Sequence, residues 1–206
     1  THKVLVANRG EIAVRIVQAC VKLGLDFVCV HTPEDAESGH VRLAREAGGE
    51  KEKRLYRVSS YHDANELMAV ADEAGADAVH PGYGFFAEDY RFARRVSRRD
   101  NKLIFIGPSW RVIRELGDKI NTKRLARSLG VPTVPGSDKP IYDELEAEKV
   151  ARTLFGFQQD QGIEHPRVLV KASAGGGGMG IEEVHDIDLF RSVYRRIRNY
   201  AARQFK

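Results

Sequence analysis

The strongest constraint on the fold is a regular alternation of short apolar runs and amphipathic helical segments through the first 108 residues. Strand-like Lys3–Ala7 and Phe27–His31 flank a segment in which apolar residues recur at helical spacing until Gly24. Two strands joined by such a helix form a βαβ unit, in which the strands are parallel in one sheet. Three further strands are predicted: Leu55–Val58, Ala78–His80 and Leu103–Ile106. The pattern predicts a doubly wound α/β domain with a mostly parallel sheet.

Turn residues follow three of these strands at their carboxyl ends. They are Asn8–Gly10, His80–Gly84 and Gly107–Pro108. Ligands of doubly wound sheets bind at this edge, so we expect a ligand site among the turns. His80 is the histidine best placed to reach a ligand, but a hydrogen-bonded structural role is the favoured interpretation.

The pattern changes after Gly107. Helices are predicted around residues 110–116, 120–129 and 142–155, with a turn-rich stretch at Gly130–Ser137 and a strand at Val168–Ala172. We predict a first domain over residues 1–115 and the start of an α+β domain over residues 116–206. The last helix carries one apolar face that requires a packing partner; its residues are Phe190, Val193, Tyr194, Ile197 and Tyr200.

Four consecutive glycines, Gly175, Gly176, Gly177 and Gly178, are the most specific local feature of the chain. Without Cβ atoms, their backbone N–H groups are free to approach an anion closely. Lys171 lies four residues upstream and could add a cation to the same phosphates. A phosphate-binding loop is favoured over a flexible linker. The run is not a Walker A loop, because no Gly-Lys-Ser or Gly-Lys-Thr follows it at the start of a helix.

Charge is distributed unevenly along the chain. Residues 1–90 have a net charge of −5 and residues 91–206 a net charge of +9. Such a basic half suits a polyanionic ligand but does not identify one. Arg91, Arg94, Arg95 and Arg98 recur at helical spacing, and a solvated helix face is favoured over a nucleic-acid contact. The arginines at positions 191, 195 and 198 of the last helix are interpreted in the same way.

Composition excludes several classes of protein. Hydrophobic residues make up 42% and charged residues 30% of the chain, which is typical of a globular protein and argues against disorder. No apolar run approaches the length of a membrane helix. Cys20 and Cys29 are predicted to be reduced core thiols, and no Cys/His cluster has the spacing of a zinc site.

Six ordered motifs give the chain a resemblance to a known family. It resembles the biotin carboxylase component of the biotin-dependent carboxylases, a branch of the ATP-grasp ligases. The motifs are Val6–Ala13, His80–Phe85, Phe105–Pro108, Gly117–Lys119, Gly130–Gly136, and Val170–Ser173 with the glycine run. The resemblance runs from residue 3 to the end of the chain. It implies a Rossmann-like domain followed by the start of an ATP-grasp domain.

The resemblance also implies a reaction and a set of binding residues. ATP would activate bicarbonate as carboxyphosphate, and the carboxyl group would pass to biotin on a carrier protein, with Mg²⁺ or Mn²⁺ at the phosphates. Lys119 and Lys171 would contact ATP phosphates, with the glycines in a lid that excludes water. Tyr83 would lie beside the biotin pocket and Arg15 at a dimer contact.

The resemblance has three departures. Met179 follows the glycines where the family usually has Arg or Lys, Phe86–Asp89 replaces a leucine-serine-glutamate-asparagine sequence while keeping Glu88, and the segment from Gln158 to Arg167 is longer than usual. Catalytic residues, metal-binding glutamates and the adenine pocket are expected beyond Lys206, so no metal ligand is expected within these residues. The chain is therefore predicted to be an N-terminal fragment that is inactive alone.

The expected partners are a biotin carboxyl carrier domain, a carboxyltransferase and a second copy of the complete protein, with no nucleic acid and no membrane. A cytoplasmic location is expected, or the mitochondrial matrix if a transit peptide was removed. Two alternatives stay open. One is a non-catalytic nucleotide-binding or interaction module on the same fold, which Met179 favours. The other is an ATP-grasp ligase of the carbamoyl-phosphate or purine-biosynthetic type, which does not account for the motifs at Asn8–Ala13 and His80–Phe85 together.

Overall fold

The computed structural model describes residues 2–48, 53–98, 103–172 and 179–204. The chain divides into two compact units, Thr1–Arg114 and Glu115–Lys206. Within the described part, no helix combines the length and the apolar character needed to cross a membrane.

The first unit is built on one parallel sheet in the order β3-β2-β1-β4-β5. This arrangement confirms the predicted α/β class. Its strands are β1 (Lys3–Val6), β2 (Asp26–His31), β3 (Leu55–Arg57), β4 (Ala78–His80) and β5 (Ile104–Phe105), and its helices are α1 (Gly10–Leu23), α2 (Gly39–Gly48), α3 (Ala64–Ala74), α4 (Tyr90–Ser97) and α5 (Trp110–Leu116), the last of which ends just past the unit boundary.

Side-chain alternation along the strands divides the core into two layers. Val4 and Val6 of β1 pack with α1 and α2, whereas Leu5 and Ala7 pack with α3 and α4. Successive side chains of a strand point to opposite faces, so a strand covered on both faces is apolar throughout. Cys29 of β2 belongs to the first layer, together with Cys20 of α1, and both thiols are buried and free.

The second unit combines three helices with a two-stranded antiparallel sheet. They are α6 (Lys119–Ser128), α7 (Glu144–Asp160), α8 (Phe190–Gln204), β6 (Val168–Lys171) and β7 (Ile181–Val184). The apolar face of α8 packs against Ala151 and Phe155 of α7 and against Val168 and Val184 of the two strands. The packing partner that this helix requires is therefore supplied by its own unit.

Most boundaries shift by one or two residues from those predicted, and two elements differ in a way that bears on the packing. Helix α7 continues to Asp160, although it was predicted only to residue 155. The side chain of Gln158 accounts for the difference, because its amide donates to the carbonyl of Arg167 at 2.9 Å and its oxygen accepts from the Arg167 amide at 3.1 Å. These two hydrogen bonds connect the polar C-terminal end of α7 to the residue before β6. Strand β5 is reduced to two residues, Ile104–Phe105.

Candidate functional site

Strands β1 and β4 form the switch point of the sheet in the first unit. The helix that follows β1 lies on one face, and the helix that follows β4 lies on the other. Ligands of doubly wound folds bind at the carboxyl edge beside such a switch point. At this edge lie the predicted turns, Asn8–Gly10 and His80–Gly84.

Asn8 joins the two loops. Its side chain is fully buried, and its Nδ2 donates to the carbonyls of Pro81 at 2.6 Å and Tyr83 at 3.0 Å. Its Oδ1 accepts from the amide of Arg9 at 2.8 Å. A buried amide with all these partners fixes the loop after β4 relative to the end of β1.

Gly82 occupies a position that only glycine fits. Its φ is +66°, and a Cβ atom built on it would lie 2.5 Å from Cγ2 of Ile12 and 2.7 Å from Nδ2 of Asn8. The Gly82 amide donates to Nδ1 of His80 at 3.1 Å, so Nδ1 carries no proton and the neutral ring is protonated at Nε2. Burial lowers the pKa of His80, which favours that neutral form.

The turn ends in a strained residue. Phe85 has a φ of +42°, the one positive value at a non-glycine residue in the described part of the chain. Its ring packs against Tyr61 and His62, with centroids 5.6 and 4.9 Å away. Strain of this kind persists where neighbouring packing fixes the backbone, and it is common at binding sites.

Tyr83 presents its side chain to solvent at this edge. It is 63% exposed, and its hydroxyl donates a hydrogen bond to Oε1 of Glu11 in the first turn of α1. That bond raises the pKa of Tyr83. Sequence reasoning had not identified Glu11 as a partner of Tyr83, because the contact depends on β1 lying beside β4.

A second network crosses the same edge of the sheet. Arg9 donates from Nε and Nη2 to the two oxygens of Asp35, each at 2.6 Å, and the hydroxyl of Tyr61 donates to Oδ2 of Asp35 at 2.8 Å. The Arg9 hydrogen bond is the main cause that lowers the pKa of Asp35 to about 2. The three residues follow β1, β2 and β3, so the network joins three successive loops. None of its members except Arg9 belonged to a motif that the sequence singled out.

In the second unit, Lys119 is the first residue of α6. Asp118 caps this helix by accepting hydrogen bonds from the amides of Ile120 and Asn121 at 3.0 and 2.7 Å. The ammonium of Lys119 lies 3.5 Å from the carbonyl oxygen of Ala172, the residue that follows β6. The side chain therefore reaches the point at which the chain leaves this strand.

Lys171 is the last residue of β6 and is paired with Ile181 of β7. The Ala172 amide donates to the Gly180 carbonyl at 2.8 Å, so the strands are held together up to the connecting segment. Residues 173–178, which include the four glycines, lie outside the described residues. Met179 follows them and is 59% exposed. Lys171 and the ammonium of Lys119 therefore lie next to the point at which the chain enters the segment with the four glycines, here called the base of the glycine segment.

Lys123, one helical turn beyond Lys119, is a lysine that sequence reasoning missed. Its ammonium donates to the carbonyl of Ser137 at 3.4 Å, and burial is the main cause that lowers its pKa. The contact fixes the turn-rich stretch beside α6. The helical spacing of 119 and 123 was the one available signal, because residues four apart share a helix face.

Arg15, predicted to lie at a dimer contact, is exposed on α1. Among the described residues, no group of three or more His, Cys, Asp or Glu side chains could hold a metal ion.

Two family models together match nearly the whole chain. The model described as "Biotin carboxylase, N-terminal domain" matches residues 1–113. The model described as "Carbamoyl-phosphate synthase L chain, ATP binding domain" matches residues 118–206.

Similar curated proteins carry related names. The chain is 41% identical over 198 residues to the 2-oxoglutarate carboxylase small subunit of Hydrogenobacter thermophilus, covering 96% of this chain and 38% of that protein. It is 41% identical over 192 residues to the biotin carboxylase of Halalkalibacterium halodurans, covering 93% and 39%. The chain thus spans about two fifths of the length of these relatives.

Solved structures agree with this likeness. The biotin carboxylase domain dimer of the Hydrogenobacter thermophilus 2-oxoglutarate carboxylase, in complex with MgADP, ADP and bicarbonate, superposes with a TM-score of 0.81 at 38% identity and covers 98% of this chain and 42% of that chain. The biotin carboxylase of Campylobacter jejuni in a β,γ-ATP complex superposes with a TM-score of 0.80 at 30% identity, again with 98% and 42% coverage.

Proposed function

The chain belongs to the biotin carboxylase family, and from this premise we propose that it forms the N-terminal part of an enzyme that carboxylates carrier-bound biotin. Bicarbonate is the proposed source of the carboxyl group and ATP the proposed activator, through carboxyphosphate. One observation carries the proposal on the side of this chain: the ammonium of Lys119 reaches the carbonyl of Ala172, beside Lys171 and at the base of the glycine segment.

The two lysines are assigned to the phosphates of ATP. Ammonium groups form charge-assisted hydrogen bonds with phosphate oxygens, which are stronger than neutral ones. Asp118 at the cap of α6 and the β6-β7 pairing fix the backbones that carry Lys119 and Lys171. Gly175, Gly176, Gly177 and Gly178 are assigned to a lid whose backbone amides contact the phosphates and which excludes water from the reaction.

The carboxyl edge of β1 and β4 is assigned to biotin. Tyr83 is held by Glu11, and the backbone of its turn is fixed by Asn8. An exposed phenol with a fixed ring supplies an apolar surface and a polar tip for a bicyclic ligand such as biotin. These residues position the ligand, and no proton transfer is assigned to them.

The activity is assigned to the complete protein. The chain spans about two fifths of its relatives, and its described residues offer no metal cluster. Magnesium or manganese, when bound, would neutralise the charge of the ATP phosphates. We assign the metal ligands and the catalytic groups to residues beyond Lys206, and we expect residues 1–206 alone to have no turnover.

The remaining assignments follow from family membership. Similar proteins are subunits or domains of carboxylases, and one of the matched structures is a dimer. We propose a biotin carboxyl carrier domain and a carboxyltransferase as partners, a homodimer of the complete protein with Arg15 at its contact, and a cytoplasmic or mitochondrial-matrix location, where ATP is available.

Met179 favours a second candidate function, a nucleotide-binding module without turnover. A thioether follows the glycines where the family usually has a cation, and it is 59% exposed. Steady-state ATP hydrolysis by the complete protein, with and without bicarbonate and free biotin, decides between the two. Hydrolysis that requires bicarbonate supports the carboxylase, whereas tight ATP binding with no hydrolysis supports the module.

A further inference from the structure

Four guanidinium groups surround the one tryptophan of the chain. Arg94 and Arg98 reach the Trp110 ring from α4, with Cζ 5.2 and 5.8 Å from its centroid. Arg111 and Arg114 reach it from α5, at 5.4 and 5.5 Å. Because each lies within 5.8 Å of one point, no two of these cations are farther apart than twice that distance.

The α4 arginines extend this cluster along an exposed helix face. Arg91, Arg94, Arg95 and Arg98, with Tyr90, line a shallow cavity of about 370 Å³. The opposite face of the helix is buried through Phe92, Ala93 and Val96. The packing of α4 is therefore complete without the arginines, so packing does not account for their number.

The arginines of α8 provide a comparison, because their charges are paired with carboxylates. Arg191 donates to Glu148 at 2.6 Å, and Arg195 donates to Glu144 at 2.8 Å, both carboxylates on the neighbouring helix α7. Within the described residues, by contrast, no salt bridge joins Arg94, Arg98 or Arg111 to a carboxylate. Cations held this close repel one another, and these three arginines have no described carboxylate of the kind that pairs with the α8 arginines.

We propose that the face formed by Arg91, Arg94, Arg95, Arg98 and Arg111 around Trp110, here called the arginine face, docks an acidic protein segment rich in Asp and Glu. Arginine pairs with carboxylates through two parallel hydrogen bonds. From position 91 to position 98 a helix rises about 10 Å, the length over which three or four extended residues of a bound segment would run.

The charge distribution favours a short protein segment over nucleic acid. Residues 1–90 have a net charge of −5, whereas residues 91–114 contain eight basic residues and one acidic residue, so the positive charge of this unit is local. A nucleic acid carries continuous negative charge beyond any such patch and gains affinity by stacking bases on open aromatic rings. Trp110 is half-buried and already covered by guanidiniums.

The shape of the cavity also argues against a small phosphate ligand. Small-molecule pockets enclose most of the ligand surface. All five residues that line this cavity come from α4 and from Arg98, the residue at its C-terminal end, so no second element encloses the cavity. An extended segment that lies along the helix fits such a surface.

The test uses the chain with a synthetic decapeptide of alternating Asp and Glu, and the same length of alternating Asn and Gln as the uncharged control. Trp110 is the sole tryptophan, so its fluorescence reports binding at the arginine face, and calorimetry measures affinity independently of the ring's surroundings. We expect the acidic peptide to bind and to shift the Trp110 emission. We expect R94A/R98A to weaken its binding at least tenfold.

The matched control is R42A/R203A. Arg42 on α2 and Arg203 on α8 are exposed, and neither side chain forms a hydrogen bond or ion pair with another described residue. It removes the same charge away from the arginine face and should leave affinity within twofold. Equal losses in both double variants, or no loss in R94A/R98A, overturn the proposal. Tighter binding of a ten-nucleotide oligo(dT) or of tripolyphosphate than of the acidic peptide also overturns it.

Discussion

The guanidinium of Arg9 binds the carboxylate of Asp35 through two hydrogen bonds of 2.6 Å each. This bidentate pair joins the residue after β1 to the turn after β2. The Asp35 side chain is only 9% exposed, whereas that of Arg9 is half exposed, so the carboxylate depends on its partners more than the cation does. The pair therefore governs how the carboxyl edge of the sheet responds to pH and to substitution.

Because of Asp35, the free energy of unfolding should fall as the pH is lowered. Its pKa is lowered from 3.8 to about 2, so its contribution is present above pH 3.8 and is lost as pH falls toward 2. That contribution should be about 1–2 kcal/mol, since the exposure of Arg9 to solvent screens the interaction. Urea unfolding between pH 2 and 7 measures it. Asp35→Asn should lower stability at pH 7 and flatten the profile below pH 4; an unchanged acid slope would contradict this.

Tyr61→Phe tests the third member of the network. The substitution removes the hydroxyl that donates to Asp35 at 2.8 Å and should cost about 1 kcal/mol in the free energy of unfolding. Tyr56→Phe is the matched control, because Tyr56 is also buried and its hydroxyl forms no hydrogen bond within the described part of the chain. Its cost should be under about 0.5 kcal/mol. Equal costs for the two variants would exclude a specific role for the hydroxyl.

The Tyr61 and Asp35 substitutions should not be additive. Once Asp35 is replaced by Asn, the Tyr61 hydroxyl no longer donates to a charged acceptor. A double-mutant cycle should therefore show a coupling of about 0.5–1 kcal/mol. Additive losses would mean that the two side chains contribute independently.

Gly82→Ala should damage the loop after β4. The new Cβ would meet Ile12 and the Asn8 amide at 2.5 and 2.7 Å, in addition to the cost of a positive φ. We expect a loss of about 2–4 kcal/mol. Gly24→Ala is the control, since Gly24 has a similar φ of +65° and open space around it, so only the backbone cost of about 1 kcal/mol applies. Thermal unfolding of both variants separates the clash from the backbone cost.

Lys171→Ala should weaken ATP binding by the complete protein about ten- to a hundredfold, because it removes a charge-assisted contact to phosphate. Lys149→Ala is the control: Lys149 is exposed on α7 in the same unit, and its side chain has no partner among the described residues. Calorimetry with ATP measures both. Unchanged affinity in Lys171→Ala would remove this lysine from the nucleotide site.

The sequence predicted the sheet well because its signal is local. Apolar runs of three to five residues separated by helical periodicity predict β1 to β5 without knowledge of any contact. The ends of elements were less well predicted, since they depend on side chains such as Gln158, which extends α7 by contacting Arg167. No local sequence pattern predicts that Gln158 will bind Arg167, nine residues away.

The candidate site was predicted only in part, for the same reason. Lys119, Lys171 and Tyr83 belong to motifs and could be named, although their roles stay predictions. Glu11 and Asp35 act through partners brought close by strand order. A carboxylate in the first turn of a helix is ordinarily interpreted as a favourable charge at that helix end, which hides the contact between Glu11 and Tyr83.

The pair Tyr83 and Glu11 gives the sharpest test of the proposed biotin site. Tyr83→Phe keeps the ring but removes the hydroxyl that Glu11 holds, and Glu11→Gln keeps an acceptor of the same length. If Glu11 orients the ring, Tyr83→Phe should raise the KM for free biotin about threefold to tenfold in the complete protein while kcat changes little, because positioning affects ground-state and transition-state binding alike. Glu11→Gln should be milder, because its amide oxygen still accepts the hydrogen bond.

The nucleotide provides the control for that experiment. The KM for ATP should be unchanged in both variants, since Tyr83 is assigned to biotin alone. A parallel rise in both KM values would mean that the substitution disturbs more than biotin binding. A loss of folded protein would instead lower the apparent kcat at unchanged KM, and urea unfolding detects it separately. A fall in kcat at unchanged KM for biotin, with the folded fraction unchanged, would place Tyr83 in the chemical step and contradict the positioning role.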